Sequence, residues 1–257
     1  MNKKSDNKTS WGKVSGWYDK LLSGTGTYQK ELILPNLLRL MNIKKGDSLL
    51  DLACGQGFFS YQFVEKGAVV IGADISPELI DIAKKNNTKN INFLVSPADK
   101  LSTIKNSTFD KVVIVLALQN INNLNGVVSE VSRVLKTGGI FYLVLNHPAY
   151  RIPQKSDWGF DNKKNVQYRR VEKYLSEIML KIDMNPGEKN LKDKKYTISI
   201  HRPLQSYFTA FNKFGFLVSK LEEWVSHKKS EAGPKQKVED TARKEIPMFM
   251  YIEAIKK

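Results

Sequence analysis

Residues 49–60, Leu-Leu-Asp-Leu-Ala-Cys-Gly-Gln-Gly-Phe-Phe-Ser, set a carboxylate and two glycines within a few positions of one another. An apolar run leads into Gly55 and Gly57 and a helix-compatible stretch follows, which reads as strand, tight turn, helix. The glycines let backbone amides approach a ligand where a Cβ would collide, and the helix behind them opens with unpaired N–H groups. Asp51, four positions before Gly55, adds negative charge beside that turn. Asp74 ends the next apolar run, Ala-Val-Val-Ile-Gly-Ala-Asp, where its two oxygens can accept hydrogen bonds from ribose hydroxyls.

Charge separates the two ligand classes that use such a turn. A dinucleotide lays its pyrophosphate there, where Asp51 repels it, and Ser60 stands in place of that fingerprint's third glycine. S-adenosylmethionine (SAM) carries a sulfonium and an ammonium instead, and a carboxylate attracts both. Asp51-x-x-x-Gly55-x-Gly57 is followed by Asp74, seventeen residues beyond Gly57, then by Ser96-Pro97-Ala98-Asp99. Phe109-Asp110-Lys111-Val112-Val113 and Leu135-Lys136-Thr137-Gly138-Gly139 come next, in that order. Over roughly residues 27 to 147 this series resembles the class I SAM-dependent methyltransferases. The resemblance implies that Asp51 and the Gly55 and Gly57 backbone hold the methionine end of SAM. It implies that Asp74 holds the ribose and that Asp99, with the Ala98 backbone, meets the adenine amine. Ala53, Ile75 and Leu116 are expected beside them as further cofactor contacts.

Composition narrows the setting. The 257 residues fit one α/β domain with an elaboration, expected over 11–257 behind a disordered tail at 1–10. A single cysteine, Cys54, excludes an internal disulfide and a cysteine metal cluster. No apolar run approaches the roughly 18 residues that span a bilayer, and the N-terminus has no apolar signal core. A soluble, cytoplasmic protein that does not enter membranes is the expectation. The net charge of +15 raises a nucleic-acid partner, yet residues 49–147 carry nine Lys/Arg against eight Asp/Glu. Only seven of the 41 basic residues are arginine, the residue that base and phosphate recognition favours. Surface composition is therefore preferred over an RNA footprint, and a small molecule over RNA as partner. Oligomeric state stays open.

The elements that must position these groups alternate. Strands are expected at 48–53, 68–74, 91–95, 111–117 and 140–145, with helices near 57–66, from Ser76-Pro77-Glu78, and near 124–136. The pattern predicts a Rossmann-like, doubly wound, mostly parallel seven-stranded sheet with helices on both faces and ligands at the strands' carboxyl ends. Helices at 11–22 and 28–41 precede it, the first an aromatic cap carrying Tyr18. After the fifth strand, 146–202 reads as an active-site insertion or lid, with helical spacing over Tyr168 to Met179 and a strand at 196–201. Helix 204–214, strand 216–224, a polar loop over 226–247 and strand 248–255 close the chain, the last strand antiparallel by resemblance.

Methyl transfer from SAM is an in-line displacement at an activated carbon, so the protein positions the nucleophile and, where needed, removes a proton. No metal is required. His147, just past the strand at 140–145, is the best-placed base, and His201 and His227 also reach the ligand end. Arg151, Arg169, Arg170 and Arg202 offer an anionic substrate binding groups. Tyr18 is expected on the opposite wall and Asn120 after the fourth strand. An RNA methyltransferase and a SAM-binding protein without catalysis are the competing readings.

Overall fold

The computed structural model describes residues 24–86, 89–184, 190, 194 and 196–257. The tail at 1–10, the expected cap at 11–22 and its Tyr18 lie outside the described residues. The first half runs through a wide helical turn, Gln29–Ile33, into α1 (Leu34–Met41), then β1 (Ser48–Leu52), α2 (Phe58–Glu65), β2 (Val69–Asp74), α3 (Pro77–Lys85), β3 (Asn92–Val95) and β4 (Phe109–Val115). It continues with α4 (Leu124–Val134), β5 (Leu135–Asn146), β6 (Ser156–Asp161), β7 (Val166–Val171), β8 (Ile178–Asp183), β9 (Tyr196–His201) and α5 (Leu204–Lys213). Strand β10 (Phe216–Trp224), α6 (Gln236–Glu245) and β11 (Phe249–Lys256) end it.

Seven strands make one sheet in the order β10-β11-β5-β4-β1-β2-β3. From β3 to β5 the pairings are parallel, and β11 runs antiparallel to both its neighbours. Alternate residues of each strand enter opposite layers, as the pleat requires. Leu50, Val112, Ile114, Phe141 and Leu143 pack with Val127 and Val131 of α4 and Phe211 of α5. Leu49, Val113, Tyr142 and Val144 pack with Leu37 and Met41 of α1 and Phe59 and Phe63 of α2. Burial on both faces explains why these strands read as unbroken apolar runs. Local chemistry fixes the helix starts: Ser76 Oγ accepts from Leu79 N–H at 3.3 Å with Pro77 behind it, and Asn123 caps α4 by accepting from Gly126 N–H at 2.9 Å.

Three expectations differ from the structure. The segment expected as a helix over Tyr168 to Met179 holds β7 and the start of β8, in separate two-stranded sheets. Asp161 accepts from the Lys163 and Lys164 amides and Asn165 takes a left-handed φ of 51°, so a hairpin turn forms and Val166, Tyr168 and Val171 favour the strand behind it. Lys173, at φ 54°, then stops that strand, and the helical spacing that runs across it has no continuous element to occupy. The polar loop expected over 226–247 contains α6. Helix α4 ends at Val134 and β5 begins at once, so Thr137-Gly138-Gly139 lies inside a strand, at a register shift against β4 between Phe109 and Lys111.

No helix among the described residues is long and apolar enough to cross a membrane. Phe141 is fully buried, with Phe211 at 5.8 Å and Phe216 at 5.9 Å between ring centroids. Phe141→Ala is expected to cost about 3–5 kcal/mol in denaturant unfolding with an unchanged denaturant slope, the range for a buried phenylalanine whose cavity cannot collapse.

Candidate functional site

Strand β1 ends in an unusual backbone. Ala53 takes φ 60°, Gly55 58° and Gly57 84°, so three of five residues lie in the left-handed region, one of them with a side chain. A Cβ on Gly57 would stand 2.8 Å from the Phe93 ring, whereas one on Gly55 would meet nothing within 4 Å. Gly57 is thus held from behind, and Gly55 faces open space. Beyond them α2 begins at Phe58.

The turn is tied to the next strand by a carboxylate. Asp74 accepts from Gly55 N–H through one oxygen and from Ser76 N–H through the other, each at 2.9 Å. Asp51, 2% exposed, accepts from Ser60 Oγ at 2.6 Å. Neither carboxylate has a basic partner among the described residues. Burial, opposed by the Ser60 hydroxyl and reinforced by the Asp74 charge, raises Asp51 from 3.8 to about 7. Burial also raises Asp74, against the pull of the Ser76 and Gly55 amides. Two buried carboxylates that lack a cation, beside a glycine whose face is open, suit a ligand carrying positive charge and hydroxyls.

Around that turn, Ala98 is buried and Asp99 accepts from Asn123 Nδ2 at 2.9 Å. Ile75 lies between Asp74 and the cap of α3. Leu116, directly after β4, adopts φ 52° and gives its N–H to Val144 O. Non-glycine residues in this region cost about 1–3 kcal/mol and cluster at ligand sites. Ala53 and Leu116 do so at the carboxyl ends of β1 and β4. Sequence reasoning passed over Gln119: its amide donates to Leu116 O, while its Oε1 is buried with no partner among the described residues. Only the chain's position after β4 marked the neighbourhood, and Asn120 drew the attention instead.

The substrate candidates fall into two groups. Asn120 donates to Ile198 O at 2.7 Å, His201 Nε2 meets Tyr174 O at 2.7 Å, and buried Arg202 donates to Ile121 O and Asn122 O. Asn120 and Arg202 join β9 and its end to the turn after β4, and His201 joins β9 to the segment between β7 and β8. A second group gathers where β5 ends: His147, Arg151, Arg169 and His227, with Tyr28 between them. Arg170 belongs to neither; it is exposed and paired with Glu172 at 3.2 Å.

His147 is 2% exposed, stacked near Tyr150, with Nε2 2.6 Å from Glu223 and Nδ1 accepting from Ala149 N–H at 3.2 Å. The carboxylate takes the ring's proton and the amide takes its lone pair, which fixes the neutral tautomer. Burial lowers its pKa against the pull of Glu223. So placed, the ring ties the end of β5 to β10 and presents no free lone pair.

A mostly parallel sheet with the order above, a glycine turn after its first strand and a carboxylate at the tip of its second define a Rossmann-like nucleoside-binding protein. A family described as "Methyltransferase domain" matches residues 50–143. The demethylmenaquinone methyltransferase of Lactococcus lactis is 30% identical over 176 residues, 65% of this chain and 67% of that protein. A SAM-dependent methyltransferase from Mesorhizobium loti has a TM-score of 0.70 at 22% identity, covering 90% of this chain and 100% of its own. A putative SAM-dependent methyltransferase from Listeria monocytogenes has 0.65 at 24%, over 86% and 97%. These two structures share the fold. The chain belongs to the SAM-dependent methyltransferases. It spans 66% of the length of an uncharacterized protein of Haemophilus influenzae, 67% of the Lactococcus protein and 40% of a demethylmenaquinone methyltransferase of Leptospira interrogans.

The ligand-free protein should lose stability as pH rises. Folded Asp51 holds its proton up to about 7 whereas the unfolded chain releases it near 3.8, so this contribution is complete below 3.8 and is lost as pH rises through about 7. Urea unfolding from pH 4 to 8 reads the slope, and Asp51→Asn is expected to flatten it. An equal slope in the variant would remove Asp51 as its source.

Proposed function

We propose that this protein transfers the methyl group of SAM to a small-molecule acceptor, with the donor at the β1–β2 turn and the acceptor above the ends of β4 and β5. The observation that carries the reading is the pair of buried carboxylates, Asp51 and Asp74, without a cationic partner among the described residues and beside the open face of Gly55. Bound SAM supplies an activated methyl carbon on a positive sulfur. Asp51 and the amides of residues 55 and 57 would hold its methionine end. The free lone pairs of Asp74 would take the ribose hydroxyls, with Ala53 and Ile75 alongside. Ala98 and Asp99 would border the adenine, and Leu116 and Gln119 the side facing the acceptor.

Catalysis then rests on alignment and on the exclusion of water. The acceptor's lone pair forms the new bond as the sulfur takes the electron pair of the old one, and any acceptor proton passes to solvent or to a nearby base. His147, with both nitrogens engaged, serves in this reading as a positioning residue. The two hairpins of 146–202 form the substrate wall, one tethered through Asn120 and Arg202 and the other through Arg169. The name of the Lactococcus relative supports a small-molecule acceptor over RNA.

Calorimetry with S-adenosylhomocysteine tests the donor site. Asp74→Ala is expected to weaken binding by about 1–3 kcal/mol, the range for hydrogen bonds to a charged group. Undiminished affinity would sink the assignment. SAM binding at pH 6 should release close to one proton, because a cation stabilises ionised Asp51, and almost none at pH 8. Titrations in buffers of different ionisation enthalpy measure it, and Asp51→Asn should abolish the release.

A further inference from the structure

The described arginines divide by what neutralises them. Arg39 is paired with Glu222 at 2.6 Å, Arg133 with Glu130 at 2.8 Å and Arg170 with Glu172 at 3.2 Å. Arg202 gives Nη2 protons to two backbone carbonyls, while its Nη1 is buried without a hydrogen-bond partner among the described residues, and Arg243 lies against Ser230 and Asp240. Arg151 and Arg169 differ. Both are partly buried; Arg151 follows β5, Arg169, on β7, bonds the carbonyl of the residue before Arg151, and neither forms an ion pair among the described residues. The Arg151 guanidinium makes no hydrogen bond there; its carbon lies 6.0 Å from the centre of the Phe249 ring. Arg169 is fixed by Tyr150 O at 2.9 Å from Nε and by Ser156 Oγ at 3.0 Å from Nη2, and lies 5.2 Å over Trp158. That leaves Nη1 undirected. Asp157 acts on Arg169 from a distance, and Arg169 repels the Arg151 charge.

Holding two guanidiniums together away from water costs free energy that rings and carbonyls offset only in part. The surroundings are aromatic, with a further cation, Lys228 Nζ, 5.0 Å from the centre of the Tyr28 ring. Tyr28 stands edge-on to Phe249 at 5.4 Å, with its hydroxyl 3.0 Å from Ser226 Oγ, and His227 packs on it at 5.1 Å. Arg169 is braced in advance, as a residue that binds a fixed anion must be. The site is built at the carboxyl end of β5, two strands from β1 in the sheet order, which is about 10 Å at the ordinary strand spacing. One substituted aromatic ring bridges such a gap.

We propose that Arg151 and Arg169, between the rings of Tyr28, Phe249 and Trp158, bind the carboxylate of a planar, aromatic methyl acceptor. This rests on the methyltransferase reading and names the acceptor class within it. The guanidinium fork matches a carboxylate in plane and spacing, and the rings receive the body that carries the accepting atom.

Calorimetry with 4-hydroxybenzoate, its neutral amide 4-hydroxybenzamide and inorganic phosphate, each with and without S-adenosylhomocysteine, tests the proposal. The acid should bind, with the amide and phosphate about ten- to a hundred-fold weaker, the worth of a charge-assisted hydrogen bond. Arg151→Met should lose the preference for the acid, keep the affinity for S-adenosylhomocysteine, and unfold at a higher temperature than wild type when no probe is present, since an unpaired cation has gone. Equal binding of acid and amide, tighter binding of phosphate, or a lower midpoint for the probe-free variant would overturn it. Failure of the wild type to bind S-adenosylhomocysteine would instead overturn the methyltransferase reading, and the acid-to-amide comparison without it would still decide the anion site.

Discussion

Asp74 makes the contact on which the site depends. One carboxylate at the tip of β2 receives the Gly55 amide from the β1 turn and the Ser76 amide from the start of α3, so a single side chain ties the two together. Parallel pairing of β1 with β2 brings the strand ends level, and the glycine backbone lets the amide reach the carboxylate. Phe93 supports both from below, since it fills the space behind Gly57 and Gly72. The glycines near this ring are required by what stands behind them as much as by any ligand in front.

The two acidic residues receive no positive charge from the described residues. Natural folds seldom leave a buried carboxylate without a cation, and a pair of them raises the cost of ionising either. The cost falls at the open end of the sheet, where α1 and α2 pack underneath and the core is continuous, so the apolar layers carry the stability that the polar end forgoes.

The donor half of the protein was legible in the sequence because its signals are local. Apolar runs, glycines and strand-end carboxylates at 49–60 and 68–74 each follow from backbone chemistry within a few residues, and the structure places β1, β2 and the α3 cap where they indicate. The insertion was not legible in the same way. Tyr168, Arg169, Tyr174 and Glu177 have helical spacing, but Asn165 and Lys173 in left-handed conformations divide the stretch into hairpin pieces, and nothing in a periodicity count detects a residue that takes positive φ without being glycine. Partners distant in sequence were equally hidden. Glu223 lies 76 residues from His147 and Ile121 lies 81 from Arg202, and no local pattern announces either hydrogen bond.

The antiparallel return of β11 has an evolutionary side. It brings Phe249 and the Ser226 to Lys228 segment back beside the end of β5, so the proposed acceptor wall draws on the last third of the chain, while the turn proposed for the donor is complete by Asp74. The two halves of the site therefore answer to different stretches of gene. Length changes after β5, and changes in the final strands, can alter the proposed acceptor wall without touching the β1–β2 turn.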